Sequence, residues 1–149
     1  MKKIVLVLFV TFGYSLNAQT IDYNTQKGYI AKGYDVVSYF SNTAKEGNHK
    51  YTAKHNEIKY QFSSQENLDI FNANPTKYVP QYGGYCAYAI GAQGKKVSIN
   101  PKTFEIRNEK LYLFYNSWGT NTLVSWLEES PDDLVKKANN NWEKLKQLD

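Results

Sequence analysis

The stretch YQFSSQENLDIFNANP, residues 60–75, changes its hydrophobic period in the middle, and this change decides the fold. In its first part, the apolar Tyr60 and Phe62 alternate with the polar Gln61. Such alternation is typical of a strand that turns one face toward a core. The stretch therefore predicts a half-buried strand that ends at Ser63.

A short helix is predicted directly after this strand. Ser63 and, three residues later, Glu66 have the pattern of a capping box, in which side chains satisfy the free amides at a helix start. Asn74 and Pro75 predict the end of the helix, because proline disfavours helical backbone in the residue before it. We therefore expect a strand followed at once by a short capped helix.

The segments before this stretch indicate a hairpin. Residues 28–40, GYIAKGYDVVSYF, mix β-branched and aromatic residues with glycine, which predicts a short strand or an extended turn. A polar loop is expected at 41–50, and residues 51–62 resume the strand pattern. A turn at 55–57 would complete a β-hairpin.

The remainder of the chain predicts strands and then helices. Residues 95–115 have the pattern of two or three strands, with the Asn-Glu pair at 108–109 as a tight hairpin turn. A short helix is expected over 121–129. Ser130 as N-cap and Pro131 at the first helical position predict a longer C-terminal helix.

The C-terminal helix carries one apolar stripe, which indicates a buried face. Its members fall at spacings of four, four and three: Leu134, Ala138, Trp142 and Leu145. We find no repeat, linker or low-complexity tract. The predicted fold class is α+β, with a small antiparallel β-sheet and hairpins packed with the short capped helix and C-terminal helices.

The first 18 residues predict a signal peptide. Two lysines follow Met1, an apolar run covers 4–12, and Ala18 precedes the expected cleavage point. This run is shorter than the about 20 apolar residues of a membrane-spanning helix. We expect an exported protein, periplasmic or secreted, with a single domain at 19–149 and no stable membrane span after cleavage.

The charge of the chain argues against nucleic acid as a partner. Loss of Lys2 and Lys3 leaves 16 of the 18 basic residues against 14 acidic ones, a net charge of about +2. Binding of nucleic acid needs lysine and arginine clustered on one face, and Arg107 is the single arginine. Because Cys86 is the single cysteine, no internal disulfide can form, and a core must hold the fold.

Cys86 lies in PQYGGYCAYAIG, residues 80–91, and its sequence context leaves four roles open. It can pack as a small apolar residue, since free cysteine is among the most buried residue types. It can act as a nucleophile if a neighbouring histidine, lysine or helix start lowers its pKa. An intermolecular disulfide and a metal site are the other two. The adjacent Gly83 and Gly84 predict a turn with positive φ.

A metal site, if present, would use Cys86 and His55, with copper or zinc as the ion. Thiolate suits Cu(I), whereas zinc sites need three or four converging ligands. His49 and His55 stand six residues apart in or beside loops, without the spacing of ligands on one helix face. This placement is typical of solvated histidines.

Four segments together resemble the exported YHS-domain family, over most of the chain after the signal peptide: GYDVVSYF, YQFSSQENLDIFNANPTKYVPQYGGYCAYA, INPKTFEIRNEKLYLFY and NNNW. The most specific part is the strand ending in Phe-Ser-Ser, the helix with a phenylalanine, and Asn-Pro-x-x-Tyr. The resemblance implies a small α+β unit in which a β-hairpin packs on that helix. It implies no particular activity.

The metal-handling branch of that family carries cysteines around the same helix, and this chain departs from it. Phe62, Ser63 and Ser64 occupy the strand end where such a cysteine could stand, and Asn67 follows one helical turn later. The segment GYDVV also lacks a thiol. The metal binding of that branch therefore does not carry over to this chain.

The sequence leaves three hypotheses of function. The first is a non-catalytic binding domain for a small molecule or metal ion, with the ligand near Tyr82, Gly83, Gly84, Tyr85 and Cys86. The second is a thiol-dependent or redox-linked enzyme that uses Cys86. The third is an interaction module for sugar or protein, with exposed rings drawn from this set: Tyr60, Tyr78, Tyr112, Tyr115 and Trp142. A homo-oligomer is compatible with each.

Overall fold

The computed structural model describes residues 20–147 of the chain. The signal peptide predicted at 1–18, with its cleavage point after Ala18, lies outside the described residues. Within residues 20–147, no helix is long and apolar enough to cross a membrane.

The described chain contains both strands and helices, which confirms the α+β prediction. The strands are β1 (Thr25–Gln26), β2 (Tyr29–Ile30), β3 (Asn48–His55), β4 (Ile58–Phe62), β5 (Asn100–Arg107), β6 (Lys110–Phe114), β7 (Asn116–Ser117) and β8 (Thr120–Asn121). The α-helices are α1 (Gln65–Ala73), α2 (Pro75–Tyr78), α3 (Thr122–Glu128) and α4 (Pro131–Leu145). Short 3-10 turns and one π-helical turn, Ala89–Gln93, connect them.

The first sheet has four strands in the order β1-β2-β4-β3. Its antiparallel β3–β4 hairpin turns at Asn56 and Glu57, whose φ angles of 49° and 67° are positive. The hairpin predicted there is confirmed, although β3 already begins at Asn48, inside the segment expected to be a polar loop. Strand β2 joins β4 in parallel, with Tyr29 opposite Lys59.

Helix α1 packs on this sheet through Phe71. The ring centroid of Phe71 lies 4.6 Å from that of Tyr60 and 4.9 Å from that of Phe62. The helix ends at Ala73, with Asn74 as its C-cap residue before Pro75, as predicted. Its N-cap is Ser64 instead of Ser63, because the Ser64 hydroxyl accepts the Asn67 N–H at 3.1 Å. The prediction that Ser63 caps the helix is therefore wrong.

The second half of the chain builds a β-hairpin and two helices around it. Strands β5 and β6 pair antiparallel, and the predicted turn at 108–109 is confirmed by Arg107 standing opposite Lys110. Helices α3 and α4 confirm the helices predicted at 121–129 and from Pro131, with closely similar bounds. Ser130 stands at the N-cap position of α4, but its side chain makes no capping bond.

The aromatic residues chosen as a possible binding face belong mainly to the core. Tyr60, Tyr78 and Tyr112 are 9% exposed or less, and Tyr115 and Trp142 are half-buried. In the C-terminal stripe, Leu134 and Ala138 are buried, and Trp142 and Leu145 are half-buried. The five aromatic side chains therefore belong to, or pack against, one of two hydrophobic core clusters. They do not form an open aromatic surface.

Residues 28–40 do not form one strand. After β2, the chain makes 3-10 turns at Ala31–Gly33 and Ser38–Ser41. The buried side chain of Asp35 lies between them and accepts backbone N–H groups of the second turn. A local carboxylate that bonds the following amides favours a turn over a strand ladder.

Candidate functional site

The carboxylate of Asp35 is completely buried and accepts five hydrogen bonds. Its Oδ1 atom accepts the N–H groups of Val37 at 2.9 Å and Ser38 at 3.2 Å. Its Oδ2 atom accepts the N–H and hydroxyl of Ser63, at 2.8 and 2.7 Å, and the amide of Asn67 at 2.7 Å. An ionised carboxylate has about four lone-pair positions, so these donors occupy its accepting capacity.

This network fastens the 35–41 turn to the junction between β4 and α1. Ser63, directly after β4, and Asn67, in the first turn of α1, both donate to Asp35. The arrangement is structural, because no accepting position of the carboxylate remains for a substrate or metal. Sequence reasoning assigned Asp35 no structural role, although an acidic residue followed by two valines was a signal of a buried and partnered charge.

Cys86 is also completely buried. Its sulfur lies 3.3 Å from the Thr122 hydroxyl oxygen and accepts the N–H of Tyr115 at 3.4 Å. Its own N–H donates to the Val97 carbonyl at 2.9 Å. The thiol therefore joins the turn that precedes it to β6 and α3, and it packs as a core group.

We predict that the thiol of Cys86 reacts slowly in the folded protein. Alkylation requires exposure of the sulfur, and typical free energies of unfolding are about 5–15 kcal/mol, so iodoacetamide should modify the folded protein at least about a thousandfold more slowly than the urea-unfolded chain. Mass spectrometry of timed samples measures both rates. Glutathione in the same buffers is the control for the effect of urea on the reagent. A folded-state rate equal to that of glutathione would contradict the buried placement.

The residues present do not fit a copper or zinc ion at Cys86 and His55. The polar neighbours of the Cys86 sulfur are a hydroxyl and an amide, and the His55 ring meets Phe71 edge to face at 6.2 Å between centroids. Within residues 20–147 no group of three or more histidine, cysteine or acidic side chains could hold a metal. His49 is exposed, whereas the Nε2 atom of His55 is buried without a hydrogen-bond partner in the described chain.

Gly83 and Gly84 form the predicted turn with positive φ, at 60° and 79°. A Cβ atom on Gly83 would stand 2.7 Å from the Asp22 carbonyl oxygen and 2.9 Å from Cη2 of Trp142. The Asn24 N–H donates to the Gly83 carbonyl at 2.8 Å. Glycine is thus required both by the backbone angle and by the close approach of a second segment and a helix.

This turn forms one wall of a cleft of about 300 Å³, which we call the Tyr82–Gly83 cleft. Its lining includes Tyr23, Gln81, Tyr82, Gly83, Asn139 and Trp142. The Tyr82 hydroxyl donates to Oδ1 of Asn139 at 3.0 Å, and the ring centroids of Tyr82 and Trp142 are 6.4 Å apart. The cleft therefore lies between the glycine turn, helix α4 and the segment before β1.

The five residues predicted to bind a ligand separate into two groups. Tyr82 and Gly83 line the cleft, and Gly84, Tyr85 and Cys86 do not. The Tyr85 hydroxyl donates to Oδ2 of Asp22 at 2.9 Å, and Lys96 pairs with the same oxygen at 2.9 Å. Burial and the Asp22 carboxylate raise the pKa of Tyr85 to about 12.

We predict that stability falls in alkaline solution. Burial raises the pKa of Tyr60, Tyr82 and Tyr85 above the ordinary 10, for Tyr85 to about 12. Between those values the unfolded chain has lost protons that the folded protein keeps, so the free energy of unfolding decreases as pH rises above 10. Urea unfolding at pH values below 10 and between 10 and 12 measures how the free energy of unfolding changes with pH. Tyr85→Phe should reduce the slope, and a flat profile of the unmodified protein would contradict the prediction.

Comparison with known proteins gives no matching family model, no matching curated protein and no matching solved structure.

Proposed function

We propose that this chain is a non-catalytic binding domain of the YHS type, and that a small organic molecule binds in the Tyr82–Gly83 cleft. The observation that carries the proposal is the meeting of aromatic rings and hydrogen-bonding side chains at one concave site. Small-molecule sites combine a largely apolar lining with a few placed polar groups, in clefts of about 300–1,000 Å³. The cleft lies at the small end of that range.

The chemistry of the lining favours a flat and uncharged ligand. Trp142 and Tyr23 offer aromatic surface for a planar ring, whereas Gln81 and Asn139 offer amides for hydrogen bonds. The carboxylate of Glu143 is paired with Lys146 at 2.6 Å, so it does not favour a cationic ligand strongly. A small heteroaromatic ring with one or two polar atoms fits this arrangement.

A larger concavity elsewhere on the protein is less suited to a small organic molecule. It has a volume of about 540 Å³ and is lined by polar and charged side chains: Asn74, Thr76, Lys77, Gln81, Asn108, Glu109 and Lys110. No aromatic ring lines it. Volume without apolar surface gives little affinity for a small organic molecule, because burial of apolar area supplies most of the driving force.

The non-catalytic part of the proposal rests on how the reactive residues are used. The Asp35 carboxylate and the Cys86 thiol are both completely buried and hydrogen-bonded within the core. Neither lines the Tyr82–Gly83 cleft. The YHS-type part is supported by the β3–β4 hairpin packing on α1 through Phe71, as the resemblance implies.

Thermal unfolding of the protein with indole, nicotinamide or adenine tests the proposal. A ligand that binds the folded state alone raises the melting temperature by mass action, so we expect at least one probe to raise it. Asn139→Ala should weaken that probe's binding by about two- to tenfold, the effect of one lost hydrogen bond. Asn140→Ala, at a neighbouring exposed asparagine outside the cleft, is the matched control. Unchanged melting with all three probes, or equal effects of the two variants, would overturn the proposal.

A further inference from the structure

Trp118 is 96% exposed, which is unusual for the largest apolar side chain. It stands at the tip of the β7–β8 hairpin, where it has a φ of 51° and Gly119 a φ of 77°. A bulky residue with positive φ adds strain to the loss of hydrophobic burial. A two-residue hairpin turn of this kind requires positive φ at both central residues, but asparagine or glycine would adopt it more favourably than tryptophan.

The tip is held firmly by the structure beneath it. Asn100 donates its side-chain amide to the Asn116 carbonyl at 3.1 Å, and the Asn116 amide donates to the Thr103 hydroxyl at 3.1 Å. At the base of the hairpin, Thr122 donates both its N–H and its hydroxyl to the Tyr115 carbonyl, at 3.0 and 2.9 Å. The indole of Trp118 is therefore presented on a fixed base, which lowers the entropy lost when a ligand binds.

A groove of about 440 Å³ begins at this indole, and we call it the Trp118 groove. Its lining is mixed, and includes Lys32, Ser98, Asn100, Pro101, Tyr115 and Trp118. Amide and hydroxyl groups lie along it together with apolar ring surface, and no acidic side chain lines it. The groove is separate from the Tyr82–Gly83 cleft, with which it shares no lining residue.

We propose that the Trp118 groove binds a pyranose unit of a neutral or acidic carbohydrate. One face of a pyranose ring presents C–H groups with partial positive charge, which are attracted to the negative face of an indole. Its hydroxyls both donate and accept, which matches the amides and serines of the groove. Lys32 is the one charged side chain in the lining, and it would favour a carboxylate on the sugar.

The surroundings of Trp118 favour a sugar over a lipid surface or a protein partner. A membrane anchor combines exposed apolar residues with clustered basic ones, and one lysine lines this groove. A protein-binding hot spot lies at the centre of a well-packed, largely apolar patch. Here the neighbours of Trp118 along the hairpin are polar or glycine: Asn116, Ser117, Gly119, Thr120 and Asn121.

Titration of the protein with cellotriose, maltotriose and digalacturonic acid tests this proposal, with isothermal titration calorimetry as the readout, because heat of binding can be measured equally in variants that lack Trp118. We expect at least one saccharide to bind, and Trp118→Ala to weaken its binding by about tenfold or more. Trp118→Phe should keep part of the affinity, because a smaller ring still stacks. Leu127→Ala is the matched control, since Leu127 is exposed, apolar and outside the groove.

Three outcomes would overturn the proposal. The first is no binding of any of the three saccharides, and the second is equal binding by wild type and Trp118→Ala. The third is a dimer in light scattering that Trp118→Ala abolishes, which would make a second copy of the chain the occupant. Because Trp118 is almost fully exposed, its substitution should leave the melting temperature within a few degrees, so loss of binding is not loss of fold.

Discussion

Replacement of Asp35 by asparagine should lower the free energy of unfolding by about 3–5 kcal/mol. The asparagine oxygen can still accept the N–H groups of Val37 and Ser38. Its NH₂ group would face the Ser63 N–H and the Asn67 amide, which also donate, so these two half-buried donors would lose the carboxylate oxygen that they share. Each such loss destabilises by about 1–3 kcal/mol.

Urea unfolding followed by tryptophan fluorescence measures this effect. Asp69→Asn is the matched control, because Asp69 is exposed on α1 and accepts one side-chain bond, from Gln65 at 2.9 Å. That variant should stay within about 0.5 kcal/mol of wild type. Ser63→Ala, which removes part of the Asp35 network, should give an intermediate loss. A change below about 1 kcal/mol for Asp35→Asn would show that the network does not hold the turn.

Replacement of Gly83 by alanine should be the second large effect, and it should also deform the Tyr82–Gly83 cleft. Positive φ destabilises an L-residue by about 1–2 kcal/mol. The new Cβ would also stand 2.7 Å from the Asp22 carbonyl and 2.9 Å from Trp142, and overpacking of this kind adds about 1–3 kcal/mol. Because one of the obstructing atoms belongs to the backbone, a side-chain rotation alone cannot relieve the contact.

Gly94→Ala separates the two causes. Gly94 has the same φ of 60°, but its added Cβ would stand no closer than 3.7 Å to a neighbouring side chain. Gly94→Ala should therefore lose only the stability that positive φ costs. In urea unfolding, the loss in free energy of unfolding for Gly83→Ala should be larger by about 1–3 kcal/mol. Gly83→Ala should also lose the probe binding that Gly94→Ala keeps. Equal stability of the two variants would contradict the close approach at Gly83.

Local patterns predicted the elements of the fold well, and long-range contacts set the details they missed. Residues 60–75 gave the strand, the helix and its end because each depends on neighbours within four positions. The N-cap was misplaced by one residue, since either serine can cap a helix and Glu66, three residues after Ser63, favoured Ser63 in the sequence. Asp35, 28 residues before Ser63, decides between them by taking the Ser63 N–H and hydroxyl.

The candidate site could be predicted in part. The glycine pair at 83–84 indicated a turn, because positive φ is a local property. Trp142 and Asn139, which face that turn, lie more than 50 residues away in α4. Helical periodicity predicts which face of α4 is buried, but not which distant segment that face contacts. Trp118 was missed because exposure of an aromatic side chain is decided by what the fold leaves uncovered.

The proposal of ligand binding at the Tyr82–Gly83 cleft is tested most directly by proton–nitrogen NMR of the three tryptophan side chains. Trp142 lines the cleft, Trp126 is buried in the core, and Trp118 lies in a separate groove. Addition of the probe that raises the melting temperature most should shift the Trp142 indole N–H signal and leave that of Trp126 in place. A Trp142 signal that does not move with the probe, or a shift of Trp118 alone, would contradict the account.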